Sequence, residues 1–435
     1  DDPSKNYIAG SFTSDKQSTD YNSLFDLINS AKAGDIIYLG NKTYVLDRNI
    51  VIDKDLTIHG GNVTTLDDFS TVNGGRTYRI FTINQDRTLK LININFINSY
   101  TLSNGGVLYL NQHATVTANN CNFINNTAAN EGGVIYTLAN SKVTLNNCNF
   151  TNNYIFDKDN GYYRVKGGVI CTYSSNLNIS NSHFTDNTVV IGDGPGDGSG
   201  YCYGGAIYGN DANINILNSS FTHNTLKGHR SNNYGAAIYL QSGNLNVEGT
   251  NFINNTLSYS GGNLVSNGGA IYTNTNGNVF INGSNFINNT AVDNGGAIFI
   301  QNCGNFKASE TNFTGNYAKV KGGAIYTNTN GNINDCNFIN NNASVGGGIY
   351  GANANGLLNV TGSNFTDNTA TSGNGGAIVT SSNTIVNNSN FINNTATIGS
   401  GGAIVDYSNG DKYIKVINST FVSNAAYDNG GAVAW

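Results

Sequence analysis

Residues 286–298 read Phe-Ile-Asn-Asn-Thr-Ala-Val-Asp-Asn-Gly-Gly-Ala-Ile, and both ends of this stretch recur along the chain. Its second end, Gly-Gly-Ala-Ile or a near variant, begins at twelve glycines: Gly105, Gly132, Gly167, Gly204, Gly235, Gly268, Gly295, Gly322, Gly346, Gly375, Gly401 and Gly430. Its first end, Phe-x-x-Asn, begins at eleven phenylalanines: Phe123, Phe150, Phe184, Phe221, Phe252, Phe286, Phe313, Phe338, Phe365, Phe391 and Phe421. Successive phenylalanines are 25 to 37 residues apart, a period typical of a repeat protein whose units stack on one another.

Each motif predicts a position in a repeating coil. The fourth residue of the glycine motif is always aliphatic, from Leu108 to Val433, which indicates an inward-facing strand position. Apolar residues seven and five positions before the phenylalanine, such as Leu245 and Val247, alternate with polar ones, as in a strand with one buried face. Stacked coils bring the phenylalanines into one internal column and the motif asparagines, such as Asn126, into another. Amides in that column can bond the turn backbone, at about 1 kcal/mol net per hydrogen bond.

These patterns predict an all-β right-handed parallel β-helix of about twelve coils, with three faces and an N-terminal capping helix. The right hand follows from the crossover rule for parallel strands. A short amphipathic helix is expected within residues 21–33, capped by Asn22 or Ser23, as a lid on the first coil.

Three regions follow along the chain: an N-terminal extension at 1–20, the cap and first coils at 21–100, and the repeat β-helix at 101–435. The last glycine motif begins at Gly430, two residues after Asp428, and opens another repeat just before the sequence stops. We therefore interpret the sequence as a fragment, truncated at the C-terminal end.

Composition excludes several classes of protein. The hydrophobic content of 38% is too high and too regular for a disordered chain. The net charge is −6, with 21 Lys plus Arg and no basic stripe, so we expect no nucleic-acid partner. No apolar run approaches 18 residues, so we expect no membrane span.

The six cysteines show neither a Cys-x-x-Cys pair nor a Cys/His spacing suited to a metal. Cys121 and Cys148 share one repeat position, which stacked coils would place about 4.8 Å apart. That separation fits a disulfide and equally fits two stacked free thiols.

Parallel β-helices also include polysaccharide lyases and hydrolases. Such enzymes need converging carboxylates, or a carboxylate-bound Ca²⁺ beside a basic residue. The repeat coils carry almost no charge, and the early run of charged residues indicates a solvated surface: Asp53, Asp55, Asp67, Asp68, Arg76, Arg79, Asp86 and Arg87. We expect no enzymatic activity, with a polysaccharide lyase or hydrolase as the lesser alternative.

The paired motifs resemble the passenger domains of chlamydial polymorphic outer-membrane proteins. They resemble still more closely the adhesin-like surface proteins of methanogenic archaea, whose repeats are also rich in asparagine and threonine. The segment Ala33–Leu39 is similar to the first strand of the cap in many such β-helices. The resemblance covers residues 21–435. It implies an archaeal glycoprotein adhesin, extracellular and on the cell surface, that attaches to a surface glycan or protein of another cell. It also implies an export signal upstream and an anchor downstream.

Four consecutive coils are longer than the others at one corner. Between the motif asparagine and the next glycine motif, successive coils have 5, 13, 16, 10, 12 and then again 5 residues. Insertions at one face of a repeat array often form its binding face. We predict a crest of loops that binds the ligand through aromatic and basic residues: Tyr154, Phe156, Tyr162, Tyr163, Arg164, Tyr201, Tyr203, His229, Arg230, Tyr234 and Tyr259. Trimming 154–166 and 188–203 to five-residue turns is then expected to spare folding and abolish adhesion. The alternative is a tolerated expansion on a structural stalk without a ligand.

A stripe of aromatic residues directly follows the invariant aliphatic position: Tyr109, Tyr136, Tyr208, Tyr239, Tyr272, Phe299, Tyr326 and Tyr350. Alternation predicts that this stripe points outward. It represents either ordinary stacking between coils or a contact surface for carbohydrate or protein.

For two further kinds of site, the sequence leaves two explanations. Asp193 and Asp197, in a glycine-rich segment, either ligate a structural Ca²⁺ or are solvated acids in a flexible loop; no other cofactor is expected. Asn125, Asn254, Asn288 and Asn393 each begin Asn-Asn-Thr, a glycosylation sequon, and are expected to point outward. Glycosylation there and the chance product of an Asn/Thr-rich sequence are equally good explanations.

Overall fold

The computed structural model describes residues 7–9, 23–61, 66–157, 164–191, 200–229, 231–260, 265–408 and 412–435. Its strands form four long, entirely parallel stacks and one short stack. The long stacks contain 15, 14, 14 and 12 strands, and the short one contains 4. This arrangement confirms the predicted right-handed parallel β-helix. Two coils without the glycine motif precede the twelve that carry it, so two of the stacks contain 14 strands.

One complete coil shows the repeating unit. In it, β1 (Ile298–Gln301), β2 (Asn305–Ser309), β3 (Asn312–Thr314) and β4 (Tyr317–Lys321) follow one another before the next glycine motif. We call the stacks that contain these strands sheets 4, 1, 2 and 3. Four faces thus replace the expected three, because the chain bends sharply between sheets 1 and 2 and again between sheets 2 and 3.

Each sheet runs nearly the length of the rod. Sheet 1 extends from Tyr7–Ala9 to Ile414–Ile417, and sheet 2 from Thr43–Val45 to Thr420–Val422. Sheet 3 extends from Tyr100–Thr101 to Ala425–Ala426, and sheet 4 from Ile50–Ile52 to Val433–Ala434.

The bends require left-handed backbone. Asn288, at the bend after sheet 2, has φ 53°, a conformation that asparagine tolerates better than most residues. Gly295, at the corner before sheet 4, has φ 64°. A Cβ added to its neighbour Gly296 would clash with the carbonyl oxygen of Gly323 in the next coil. The glycine pair therefore permits both the turn and the close stacking of coils.

The predicted internal columns are confirmed by the strand register. The aliphatic residues of the glycine motif pair with one another, as Ile298 does with Ile325. The phenylalanines pair in the same way, and their ring centroids lie 4.5 to 5.1 Å apart from Phe96 to Phe421. Both columns are buried in one continuous core.

The motif asparagines form a hydrogen-bonded ladder inside the rod. Asn289 donates from Nδ2 to the carbonyl oxygen of Phe252 at 2.9 Å and to Oδ1 of Asn316 at 3.0 Å. Its own Oδ1 accepts from the backbone N–H and from Nδ2 of Asn255, both at 3.0 Å. The same pattern links the ladder from Asn126 to Asn424. Each amide is thereby satisfied although it is buried.

The N-terminal lid is present as predicted. Helix α1 spans Leu24–Ser30, and the Ser23 side chain at its N-cap accepts a hydrogen bond from the Asp26 backbone. Leu24, Leu27 and Ile28 are buried against the first coils. No helix among the described residues is long and apolar enough to cross a membrane.

All six cysteines are buried free thiols. Cys121 and Cys148 lie in adjacent coils, where the backbone N–H of Asn149 donates to the Cys121 carbonyl oxygen at 2.9 Å. Burial raises the pKa of the Cys121 thiol well above its usual value. The structure thus has the stacked-thiol arrangement at this position.

Candidate contact surface

The four long insertions are folded, and they do not form loops over their described residues. After the ladder asparagine each chain segment extends sheet 3, with strands β5 (Tyr154–Asp157), β6 (Thr188–Ile191), β7 (Thr225–His229) and β8 (Thr256–Ser260). Each then returns in the short fifth sheet, with strands β9 (Arg164–Lys166), β10 (Gly200–Tyr203), β11 (Ser231–Tyr234) and β12 (Ser266–Asn267). We call these eight strands the fin.

The fin has an apolar core of its own, separate from that of the rod. Its buried side chains come from both sheets and from the neighbouring corners: Ile155, Val165, Val189, Cys202, Leu226, Ala236, Leu257 and Ala291. The four insertions stack at one corner as predicted, but over their described residues they form strands and not loops. The insertions alternate apolar and polar residues, as in Arg164-Val165-Lys166, and this pattern builds a second layer of strands. Trimming 154–166 and 188–203 would remove strands from both layers, so the expectation that folding is spared does not hold.

The predicted binding residues whose side chains the structure describes divide between two opposite faces of the fin. Tyr154 and Phe156 lie on the sheet 3 side, with parallel rings 5.9 Å apart, and Phe156 is 39% exposed. Arg164, Tyr201 and Tyr203 lie on the fifth-sheet side, together with Tyr234. They cannot all contact one flat ligand, because the fin core separates the two faces.

We call the fifth-sheet side the tyrosine face. The guanidinium of Arg164 lies over the Tyr201 ring, 5.6 Å from its centroid. Tyr201 and Tyr203 have parallel rings 6.0 Å apart, and Tyr203 stacks on Tyr234 at 5.6 Å. Arg164 is exposed and the three tyrosines are half-buried. Burial raises the pKa of Tyr203 to about 12, so this phenol stays neutral and can donate a hydrogen bond.

The aromatic stripe of sheet 4 lies beneath the tyrosine face. Tyr203 contacts Tyr239 with ring centroids 4.7 Å apart, and Tyr234 contacts Tyr272 at 4.8 Å. Tyr208 is 1% exposed, and Tyr239 and Tyr272 are each 6% exposed. The stripe points away from the rod core as predicted, and the fin covers its central tyrosines. Its central tyrosines therefore brace the fin and cannot form an open contact surface.

A charged cluster fixes the first strand of the fin to the rod. The Lys166 ammonium contacts the Glu131 carboxylate at 2.8 Å and donates to the Tyr173 hydroxyl at 2.6 Å. That hydroxyl in turn donates to the Glu131 carboxylate, with both oxygens 3.0 Å away. The side chains of Lys166 and Glu131 are only 17% and 16% exposed. Sequence reasoning missed this cluster, although opposite charges at one repeat position in consecutive coils were a usable signal.

We expect Lys166→Met to lower the free energy of unfolding by about 2 kcal/mol, because it leaves the Glu131 carboxylate half-enclosed without a counter-charge. Methionine keeps the apolar stem, so lost packing contributes little. Urea titration followed by circular dichroism measures the loss. Lys142→Met, at an exposed position of sheet 1, is the control. Equal stability of the Lys166→Met and Lys142→Met variants would show that the cluster does not hold the fin.

The structure does not describe the side chains of several predicted site residues. Tyr162, Tyr163, Arg230, Asp193 and Asp197 fall outside the described residues. His229 and Tyr259 lie in β7 and β8, but their side chains are not described. A Ca²⁺ site at the two aspartates therefore stays a prediction.

The sequon asparagines occupy the bend that follows sheet 2. Asn125, Asn288 and Asn393 are exposed, and Asn254 is half-buried, where its Nδ2 lies 3.0 Å from His223 Nε2. Their φ angles are 53° to 55°, so the left-handed bend, and not strand alternation, directs them outward. Their glycosylation stays a prediction.

Three segments of the chain match the model of the Chlamydia polymorphic membrane protein repeat, at residues 120–138, 283–301 and 310–328. Each segment contains one Phe-x-x-Asn motif, a short turn and one glycine motif. The matches lie on coils with five-residue turns, outside the fin. No curated protein and no solved structure matches the chain. These coils are therefore similar to polymorphic membrane protein repeats, and the fin is an elaboration between them.

Proposed function

We propose that this chain is a surface-exposed protein of the adhesin type, and that the tyrosine face of the fin contacts a glycan or protein of another cell. The observation that carries the proposal is the fin itself, a folded two-layer projection between coils that match a membrane-protein surface repeat. The archaeal origin suggested by the asparagine- and threonine-rich repeats is part of the same proposal.

The tyrosine face has the chemistry of a recognition surface. Tyrosine and arginine give large contact areas with polar groups at their ends, and they are enriched where binding energy concentrates. Among the described residues of this face, Arg164 is an exposed cation, while the ammonium of Lys166 is already paired with Glu131. Because the side chains stand on a sheet packed against the rod, little conformational entropy is lost on binding.

A structural stalk is the competing function. Coils with short turns of four to six residues would be enough for a spacer, and they make up most of the rod. The fin favours a contact role because the tyrosine face carries aromatic and basic side chains, while Val165 and Cys202 on the same strands point into the fin core. We further propose that the role is not enzymatic: at the base of the fin the Glu131 carboxylate already accepts from Lys166 and Tyr173, and the Asp293 carboxylate accepts from the backbone N–H of Ser266.

The double variant Arg164→Ala, Tyr201→Ala tests the contact role. We expect adhesion to candidate partner cells, and binding on a glycan array, to fall at least tenfold, a loss of about 1.4 kcal/mol. Both side chains are outward on the fifth sheet, so folding should persist, as checked by circular dichroism. Tyr317→Ala, at a 43% exposed tyrosine outside the fin, is the matched control. Undiminished binding by the double variant would favour the stalk.

A further inference from the structure

A polar depression of about 520 Å³ lies on the first coils of the rod, apart from the fin. It follows the strands of sheet 4, where the chain turns toward sheet 1. Asn84 and Gln85 contribute from one coil, and Asn111 and Gln112 from the next. A depression of this size is within the range of small-molecule sites, which span about 300–1,000 Å³.

The side chains that line the depression have hydrogen-bonding capacity to spare. Among the described residues, those of Gln85, Gln112 and Arg87 make no hydrogen bond or ion pair with the protein. Asp53 at the rim faces only the ammonium of Lys54, at 3.8 Å. Asn111 uses one of its N–H groups, toward the carbonyl oxygen of Ile83 at 3.1 Å. Amides, a carboxylate and a guanidinium together supply both donors and acceptors.

The register explains why the amides of Asn84 and Asn111 have no tyrosine partner. In two later coils the amide at the corresponding position accepts from a tyrosine of the stripe: Tyr208 donates to Oε1 of Gln241, and Tyr272 donates to Oε1 of Gln301 at 2.6 Å. In the first two coils, the stripe position is occupied by Val51 and Thr82, which pair with each other and then with Tyr109. Neither side chain carries a phenol that could reach the amide column. Asn84 and Asn111 thus lack the tyrosine bond that Gln241 and Gln301 accept.

One wall of the depression is apolar. Half-buried Leu138, from the fourth coil, packs against the stripe and faces the depression from the side opposite Asp53 along the rod. A sugar ring has hydroxyl groups around its edge, each both donor and acceptor, and C–H groups on its faces. The amides and charged groups suit the edge, and Leu138 suits a face.

We propose that this depression is a saccharide-binding site for a single sugar unit, independent of the fin and beyond the contact role proposed above. The turns that form it are held by the ladder of the rod, as the backbone N–H of Asn111 donates to the Ile83 carbonyl oxygen at 3.0 Å. The backbone of these turns is therefore in place before the sugar arrives, so no backbone entropy is lost on binding.

Saturation-transfer NMR on the full chain, with galactose, N-acetylglucosamine and galacturonate as probes, tests the proposal. We expect at least one sugar to bind, and the double variant Gln85→Ala, Gln112→Ala to weaken it at least tenfold in a titration. Arg87→Ala and Lys90→Ala each remove one positive charge from the same coil. Lys90 is exposed and lies outside the depression, so comparing the two variants distinguishes binding at the depression from a general effect of charge. Arg87→Ala should weaken binding, whereas Lys90→Ala should not.

Galacturonate distinguishes two forms of the site. A loss confined to this probe in the Arg87→Ala variant would indicate recognition of an acidic sugar, and an equal loss for all bound probes would indicate recognition of hydroxyl groups. The proposal is overturned if none of the three sugars binds at millimolar concentration, or if the double variant, folded by circular dichroism, binds like the unchanged chain.

Discussion

Phe286→Ala is expected to lower the free energy of unfolding by about 4 kcal/mol, the range for deleting a buried phenylalanine ring. Phe286 is fully buried and stacks between Phe252, at 4.6 Å, and Phe313, at 5.1 Å. The coils above and below are fixed by their own ladders, so they cannot close over the space that the ring leaves. Both neighbouring rings would lose a stacking partner at once.

Phe280→Ala is the matched control, because Phe280 belongs to the same coil but points outward from sheet 1 and is 36% exposed. We expect it to change stability by less than about 1 kcal/mol. Urea titration measures both variants, and hydrogen exchange of the coil amides locates the damage, since a coil contacts mainly its neighbours. Similar losses at the two positions would mean that the phenylalanine column does not carry the stability of the rod.

Asn289→Ala is expected to cost about 4 kcal/mol, since four hydrogen bonds are lost at about 1 kcal/mol each. The substitution leaves the Phe252 carbonyl and the Asn255 backbone N–H buried without these partners. Water cannot readily replace the amide, because Asn289 is fully buried. The effect should spread to both adjacent coils, since the ladder connects Asn255, Asn289 and Asn316.

Asn285→Ala, four residues earlier in the same coil, is the control. It removes a similar set of amide hydrogen bonds from a position that water can reach. Asn285 also belongs to a ladder, donating to Asn251 and accepting from Asn312, both at 2.8 Å, but this ladder is on the outer surface. Water can replace its bonds, so we expect a loss of less than about 1 kcal/mol. If Asn289→Ala were as mild as Asn285→Ala, the internal ladder would be a consequence of stacking and not a cause of it.

The repeat motifs determined the rod. Identical residues one coil apart stack in parallel strands, so the columns of Ile298, Phe286 and Asn289 could be predicted from spacing alone. The lid helix was equally readable, because Ser23 and the apolar spacing of Leu24, Leu27 and Ile28 are local signals. The sequence also indicated the position of the fin, because four consecutive coils have long segments at the same corner.

The face of the fin on which each side chain lies depends on tertiary contacts. Whether Tyr154 and Tyr201 share a face depends on how each insertion folds back, and no repeated motif specifies that return. The stripe was predicted correctly to leave the rod core, but Tyr203 and Tyr234, which cover its central tyrosines, come from another sheet. Such contacts join residues that share no motif, so no spacing predicts them.

For the same reason, the polar depression could not be predicted from the sequence. Asp53 and Arg87 were predicted to belong to a solvated surface, and Gln85 and Gln112 are ordinary polar turn residues. Only the stacking of successive turns brings them together, and only the register reveals that Thr82 stands where later coils have a tyrosine. The sequence by itself therefore determined the rod and its columns, because repetition makes one local pattern into a long-range contact. The tertiary structure decided the surfaces, because they are built where the repetition is broken.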